Sequence, residues 1–404
     1  MFKTLEKLRL LTWSRFKETK QTPTAGRHAI KFNLCVAALM LMLIAGQGMA
    51  NAQRTHAEFV NVVDSTQGYS GFSQFPAINA RGSVAFAAFQ DDGSQGVFQW
   101  DRRQFKTIAS TTGTNFAFFT DDVVINSAGL VGFRATFKTG GRAAGIFTSD
   151  GVSTKTIINT AEQGLPGPGL GSPSINASGT VAFQAARNFF RSGVIFTGDG
   201  STLTPVLDSL NSNFGSFGNV AINAAGEIVF RGVRPDRSEG VFLFNPNQET
   251  EEGGSADPGH VIDVTDSNFF QFGDPVINDA GIVADFGGVA AGAAVFTGNA
   301  KGTTARNDPS TSFLEHPSIN NRGAVAFSAI ALDGTQSIFA ELTGGASPVT
   351  VLQSGDSLFG STVTAVSVGR FALNDHLRLV FEYELADGRS GIAIASLQLD
   401  KDGQ

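Results

Sequence analysis

The chain has 404 residues, with 36 acidic against 29 basic side chains and a formal charge of −7. That balance argues against a surface built on bulk positive charge for nucleic acid. One cysteine, Cys35, leaves no internal disulfide to staple the chain.

Residues 1–52 differ in kind from the rest. Eight of the basic residues and two of the acidic ones fall there, ahead of the apolar run LCVAALMLMLIAG from Leu34 to Gly46. Ala50 and Ala52 then supply the small residues of a cleavage site. A basic region, a short apolar region and an A-x-A site predict a secretory signal cut after Ala52. Its apolar run is shorter than the roughly 20 residues that a membrane span requires. The basic region is long, which also fits a start codon placed upstream of the true one. Cleavage would remove Cys35 and all four methionines, leaving 21 basic against 34 acidic residues, or −13. The remainder, 53–404, is expected to be one soluble domain and a monomer. It would be exported to the periplasm or beyond the cell, with no membrane span, nucleic-acid partner or cofactor.

From Asn79 onward one sentence recurs: NARGSVAF at Asn79, NSAGLVGF at Asn126, NASGTVAF at Asn176, NAAGEIVF at Asn223, NDAGIVAD at Asn278, NNRGAVAF at Asn320 and a worn NDHLRLVF at Asn374. The spacings are 47, 50, 47, 55, 42 and 54 residues, the signature of a repeat architecture. Each period predicts four strands. A short apolar strand precedes Asn, and the N-x-x-G turn follows, with Asn bonding its own backbone and Gly taking positive φ. A Val/Ala/Phe strand, a polar loop, a third strand and a β-branched fourth strand complete the period. Helical periodicity is absent throughout, so the reading is all-β, with four-stranded antiparallel blades of a seven-bladed β-propeller. Phe, of which there are 36, is expected between sheets, with Ala or Gly where sheets pinch.

The ends sharpen this. The seventh copy stops after its third strand, GIAIASLQ, while FVNVVDSTQGYSGF at 59–72 resembles the fourth-strand segment TPVLDSLNSNFGSF at 204–217. An N-terminal strand completing the C-terminal blade is what ring closure requires.

The repeated motif resembles the bacterial exported tandem-repeat family named for N-x-x-G-x-x-A-F, whose members carry varied surface anchors. The resemblance implies export and a repeat fold, and no established activity. This sequence departs from it in showing no C-terminal anchor segment and in having Leu377 where Gly is expected. The order of Pro, turn and apolar strand also echoes TolB-like propellers, in form only.

Chemistry is expected where the repeats disagree, on the rim opposite the N-x-x-G turns. Arg187, Arg191, Arg234 and Arg237, on the strand two–three loops of blades 3 and 4, could form a cationic patch for carboxylate, sulfate or phosphate. The bland reading pairs them with Asp236 and Glu239. Asp-Gly pairs lack calcium-loop spacing and read as hairpin turns. The F-rich joints FSQF, FAFF, FGSF and FFQF read as inter-blade packing, and 245–259 as a solvated insertion. Asp285 occupies the column held by Phe86, Phe133, Phe183, Phe230, Phe327 and Phe381. Either it has a partner and a role, or a bulge returns Phe286 to the slot, the simpler reading. His56, His260, His316 and His376 stand apart in sequence, so neither a metal set nor a catalytic set is assigned.

The expected function is a non-enzymatic binding or scaffold module for a protein or glycan. The alternatives are a glycosidase or polysaccharide lyase acting at the channel mouth and a structural surface or matrix protein.

Overall fold

The computed structural model describes residues 56–398 apart from 121, 140–142, 164–168, 187–192, 247–258, 264–268, 270, 290–291, 300–301, 306–312, 315 and 343–346. The leader segment therefore lies outside the described residues, as does most of the 245–259 insertion. The strands form seven antiparallel sheets, and the sole helical element among the described residues is a 3-10 turn at Ser65–Gln67.

Blade 1 shows the pattern. An interrupted innermost strand, Tyr69–Phe72 and Ala77–Ile78, pairs with Val84–Gln90, followed outward by Gln95–Trp100 and Phe105–Ser110. Blades 2 to 6 repeat it, their second strands being Val131–Phe137, Val181–Ala186, Ile228–Val233, Val283–Val289 and Val325–Ile330. In blade 7, Ser361–Ser367, Arg378–Leu385 and Ser390–Leu397 supply three strands, and Ala57–Asp64 is the fourth. Pairing runs from Ala57 opposite Leu397 to Asp64 opposite Gly391. The ring closes as the sequence predicted: the first strand of the fold completes the last blade.

The blades hold together by packing large residues on small ones. Phe119 and Phe133 of blade 2 lie in one cluster with Ala85 and Ala87 of blade 1. Phe230 and Phe242 of blade 4 meet Ala182 and Ile195 of blade 3, and Phe272 and Phe296 of blade 5 meet Ala221 and Val229 of blade 4. Phe86, Phe133, Phe183, Phe230, Phe327 and Phe381 are all fully buried. Each such burial contributes about 1.5–3 kcal/mol, so the Phe column stabilises the inter-blade seams in the absence of disulfides. Phe119, Phe214, Phe217 and Phe272 of the F-rich joints are buried in these seams, while Phe118 stays exposed.

The motif asparagines do more than make turns. In each repeat the Oδ1 accepts from the backbone N–H four residues on, as Ser83 to Asn79 at 2.9 Å and Arg378 to Asn374 at 3.0 Å. The Nδ2 then donates to the backbone carbonyl of the next motif asparagine: Asn79 to Asn126, then to Asn176, Asn223, Asn278, Asn320 and Asn374 in turn. Asn374 donates to Asn79 at 3.0 Å and completes the circle. Seven buried carboxamides thus tie every blade to its neighbour. The turn glycines take positive φ, 90° at Gly129 for example, and Leu377 adopts the same region at 55°. Its side chain is buried in the cluster that joins blades 6, 7 and 1.

Candidate functional site

The innermost strand of each blade breaks or bulges a few residues before the motif asparagine. A broken ladder frees backbone groups and re-aims side chains. The residue four before Asn sits at that break in every blade: Phe75, Asp122, Ser172, Asn219, Asp274, His316 and Arg370. Six of these seven are polar, and the three residues that follow each are apolar or small.

They engage one another from blade to blade. The Ser172 hydroxyl donates to Asp122 Oδ2, and the Ser172 N–H donates to Asn219 Oδ1 at 2.8 Å. Asn219 donates to Asp274 through its backbone at 3.2 Å and its amide at 2.8 Å. The edge of one ring meets the face of the other between His316 and Phe75, with centroids 5.7 Å apart. Arg370, only 5% exposed, reaches from blade 7 to donate through Nη2 to the carbonyls of Val220 in blade 4 and Pro275 in blade 5. Among the described residues its Nε and Nη1 find no hydrogen-bond partner, and neither do the buried His316 Nδ1 and Asp285 Oδ2. Glycine precedes the break where side chains crowd. A Cβ at Gly171 would lie 2.7 Å from Asn219 Oδ1, and one at Gly273 would lie 2.7 Å from Asp285 Oδ1.

Asp285 belongs to this neighbourhood. The strand Val283–Val289 pairs residue by residue with its partner, Asp285 opposite Phe296, where Phe183 faces Phe196 and Phe230 faces Phe242. No bulge intervenes, so the expectation that Phe286 regains the slot is corrected: Asp285 fills it. Phe286 turns instead to the blade 5–6 seam. Asp285 has no exposed surface, and Oδ1 accepts only from the Phe286 N–H at 2.8 Å. Burial pushes its carboxyl well above the usual range, against the smaller opposing pull of the Phe286 N–H, and the nearby Asp274 adds to the rise. For Asp274, burial is outweighed by the Arg370 guanidinium and the Asn219 amide, which hold it below that range. Burial, then Arg370, depresses His316. The centre thus biases Asp274 towards its ionised form, Asp285 towards its protonated form and His316 towards the neutral imidazole.

Beside Arg370 lies a small cleft, lined among others by Phe75, Asp122, Ser172, Arg370 and Phe371. Its walls run from the break towards the N-x-x-G turns, whereas the sequence pointed to the far rim. The arginine patch fares differently. Arg187 and Arg191 lie outside the described residues. Arg234 stacks 5.0 Å over Phe242, and Arg237 is exposed at φ 73°, in the turn position that Gly93 and Gly334 hold elsewhere. Asp236 accepts from the Ser238 N–H and hydroxyl and lies in the field of Arg234, while Glu239 approaches Arg231 at 3.7 Å. The Asp-Gly loops are hairpin turns, Asp92 accepting from Ser94 and Asp333 from Thr335. Among the described residues, no three His, Cys, Asp or Glu converge as a metal set, and no helix is long and apolar enough to cross a membrane.

Residues 103–308, just over half of the chain, match DUF7453, a family of unknown function. The chain belongs to that family. The likeness to the N-x-x-G-x-x-A-F tandem-repeat family rests on the motif alone. No curated protein matches the sequence. Solved structures similar to this DUF7453 protein include Pyrococcus horikoshii acylaminoacyl peptidase, at 11% identity and TM-score 0.51, covering 84% of this chain and 53% of that one. A prolyl endopeptidase follows at 10% identity and TM-score 0.50, with 94% and 57% covered, so the chain spans about half the length of these two enzymes. YCF48 bound to a D1 peptide is similar at 10% identity and TM-score 0.47, with 88% and 100% covered. Identities this low speak to the propeller fold alone.

The axial ring escaped the sequence reading, which searched the loops. Its signal was the column four before Asn, where Phe, Asp, Ser, Asn, Asp, His and Arg replace one another while the three columns between it and Asn stay apolar or small.

Proposed function

We propose that this DUF7453 protein is an exported, non-enzymatic binding or scaffold module for a protein or glycan partner. One observation carries the reading. The axis, where a propeller enzyme would present its acids to substrate, is bridged by Arg370, whose guanidinium is held by carbonyls of two blades. Asp285, the acid whose pKa burial raises, has no exposed surface from which to serve a substrate. Export rests on the leader-like segment at 1–52. The test is glycan-array and immobilised-partner binding with the purified protein, alongside product analysis on a polysaccharide panel. Saturable capture without product is expected. Turnover abolished by Asp274→Asn would overturn the reading.

That last outcome would favour a second reading, a glycosidase or lyase. Its supporting observation is the pair Asp274 and Asp285, pushed in opposite directions as an acid–base couple requires.

A further inference from the structure

We infer that the N-x-x-G rim carries a site for a doubly charged tetrahedral oxyanion, a sulfate or phosphate group, between Arg102 and Arg378 where blade 7 meets blade 1. The site stands apart from the binding-module reading, on the rim opposite the loops to which the sequence assigned chemistry.

Two columns of the repeat point there. The residue two after the motif asparagine is Ala128, Ser178, Ala225 and Ala280 in blades 2 to 5. In the consecutive blades 6, 7 and 1 it is Arg322, His376 and Arg81. The residue four after the asparagine faces the turn glycine of the next blade. A Cβ on Gly179 would lie 3.5 Å from Leu130, and one on Gly281 would lie 3.4 Å from Glu227. At the blade 7–1 junction that residue is Arg378, the one basic member of its column.

A second guanidinium arrives from the hairpin between strands three and four of blade 1. A Cβ on Gly82 would lie 2.6 Å from Arg102 Nη2 and 2.8 Å from Arg378 Nη1, so both heads share the space over one turn. Arg102 Nη2 also donates to the Arg81 carbonyl at 3.3 Å, which holds its head there. Arg102 has φ of 76°, where the matching hairpins of blades 2 and 3 place Gly151 and Gly200 at 78° and 84°. The match is fixed by Asp101, which accepts from the N–H groups of Arg103 and Gln104 as Asp150 does from Val152 and Ser153. A long cationic side chain thus stands where glycine would suit the backbone.

Like charges brought this close repel unless an anion lies between them. Carboxylates of the protein do not fill that role. Among the described residues neither Arg102 nor Arg378 makes an ion pair. The neighbouring acids Asp101 and Asp375 accept from backbone N–H groups instead. Guanidinium groups present paired donors that match the oxygens of an oxyanion. Two of them, with two positive charges, call for a dianion whose oxygens lie in more than one plane. Sulfate and phosphate supply that, and a carboxylate does not. Arg81 and Arg102 are exposed and Arg378 is half-buried, so the site opens to solvent and admits either a free ion or an ester on a larger molecule.

The experiment titrates the purified protein with sulfate, phosphate and acetate against chloride at matched ionic strength. Calorimetry and NMR of the arginine side-chain N–H signals are the readouts. Sulfate is expected to bind saturably at one site and more tightly than acetate. Arg378→Gln should weaken sulfate by about tenfold, the effect of one charge-assisted hydrogen bond. Arg102→Gly, which suits the left-handed backbone and so preserves the fold, should do the same. Lys155→Gln, which removes an exposed charge from blade 2, should leave the affinity unchanged. Absence of saturable sulfate binding overturns the inference. So does acetate binding as tightly as sulfate, full affinity in either arginine variant, or an equal loss in Lys155→Gln, the mark of a diffuse field only. Displacement of sulfate by a sulfated oligosaccharide supports the site with an ester as its source, and sulfate binding without displacement supports it with the free ion. The binding-module reading is decided separately, by the array and product measurements.

Discussion

Replacing Asn374 by Ala tests whether the asparagine circle is a closed structural device. The side chain accepts from the N–H groups of His376 and Arg378, both at 3.0 Å, and donates to the Asn79 carbonyl at 3.0 Å. It is only 4% exposed, so water cannot freely replace these bonds. At about 1 kcal/mol net for each hydrogen bond, Asn374→Ala should cost about 3 kcal/mol, and more if the abandoned groups stay buried. Asn126→Ala removes an equivalent set, with bonds of 3.0, 2.9 and 3.1 Å. In a ring these two positions are equivalent. In an open array the last copy would hold no neighbour, and its loss would be cheaper by the one inter-blade bond. Urea unfolding followed by fluorescence and circular dichroism should therefore give both variants the same destabilisation, with m-values unchanged. If Asn374→Ala costs about 1 kcal/mol less than Asn126→Ala, the closing bond contributes nothing and the argument fails.

Two further outcomes follow from single residues. Asp285 has a folded pKa raised above its unfolded value, so the stability it contributes is complete below pH 3.8 and is lost as pH rises through the raised value. Asp285→Asn should thus gain on wild type by about 1.4 kcal/mol for each pH unit across that window, and a pH-independent difference in urea unfolding would contradict this. At Leu377, φ of 55° costs about 1–2 kcal/mol for a non-glycine residue, while its burial is worth about 1.5–3 kcal/mol. Leu377→Gly loses packing but sheds strain, whereas Leu377→Ala loses packing and keeps the strain. Thermal melts should therefore rank wild type above Gly and Gly above Ala, and the opposite order of Gly and Ala would refute the strain.

What could be read from the chain alone was whatever repeats. The turn asparagines, the Phe column and the strand borrowed from the N-terminus all follow from local rules applied seven times, and the fold follows from them. The circle of Asn-to-carbonyl bonds did not, because a side-chain amide pointing across a blade boundary leaves no trace in the spacing within a blade. Asp285 was visible as an exception, but its environment was not. Whether a carboxylate displaces Phe or a bulge displaces the carboxylate depends on pairing register, and the register here stays continuous. The axial ring was legible only by reading down a column. His316, Asp122 and Arg370 are isolated in sequence, and any search for short motifs passes over them.

The placement of that ring explains why it varies so freely. A residue in the Phe column must match the adjoining sheet, and a motif asparagine must satisfy its own turn and the next blade. The residue four before Asn escapes both demands, since the ladder is broken at its position and its side chain meets other members of the same ring. Seven unlike residues can therefore stand there without disturbing closure. Asp285 is the one place where the separation breaks down. It lies in the column that holds blades together, yet it is electrostatically coupled to Asp274 and Arg370 in the ring. A buried carboxyl with an unmet oxygen is costly in a slot that six other blades fill with Phe. Its position beside the ring makes the axis, rather than the loops, the place where the repeat pattern gives up apolar packing for polar groups.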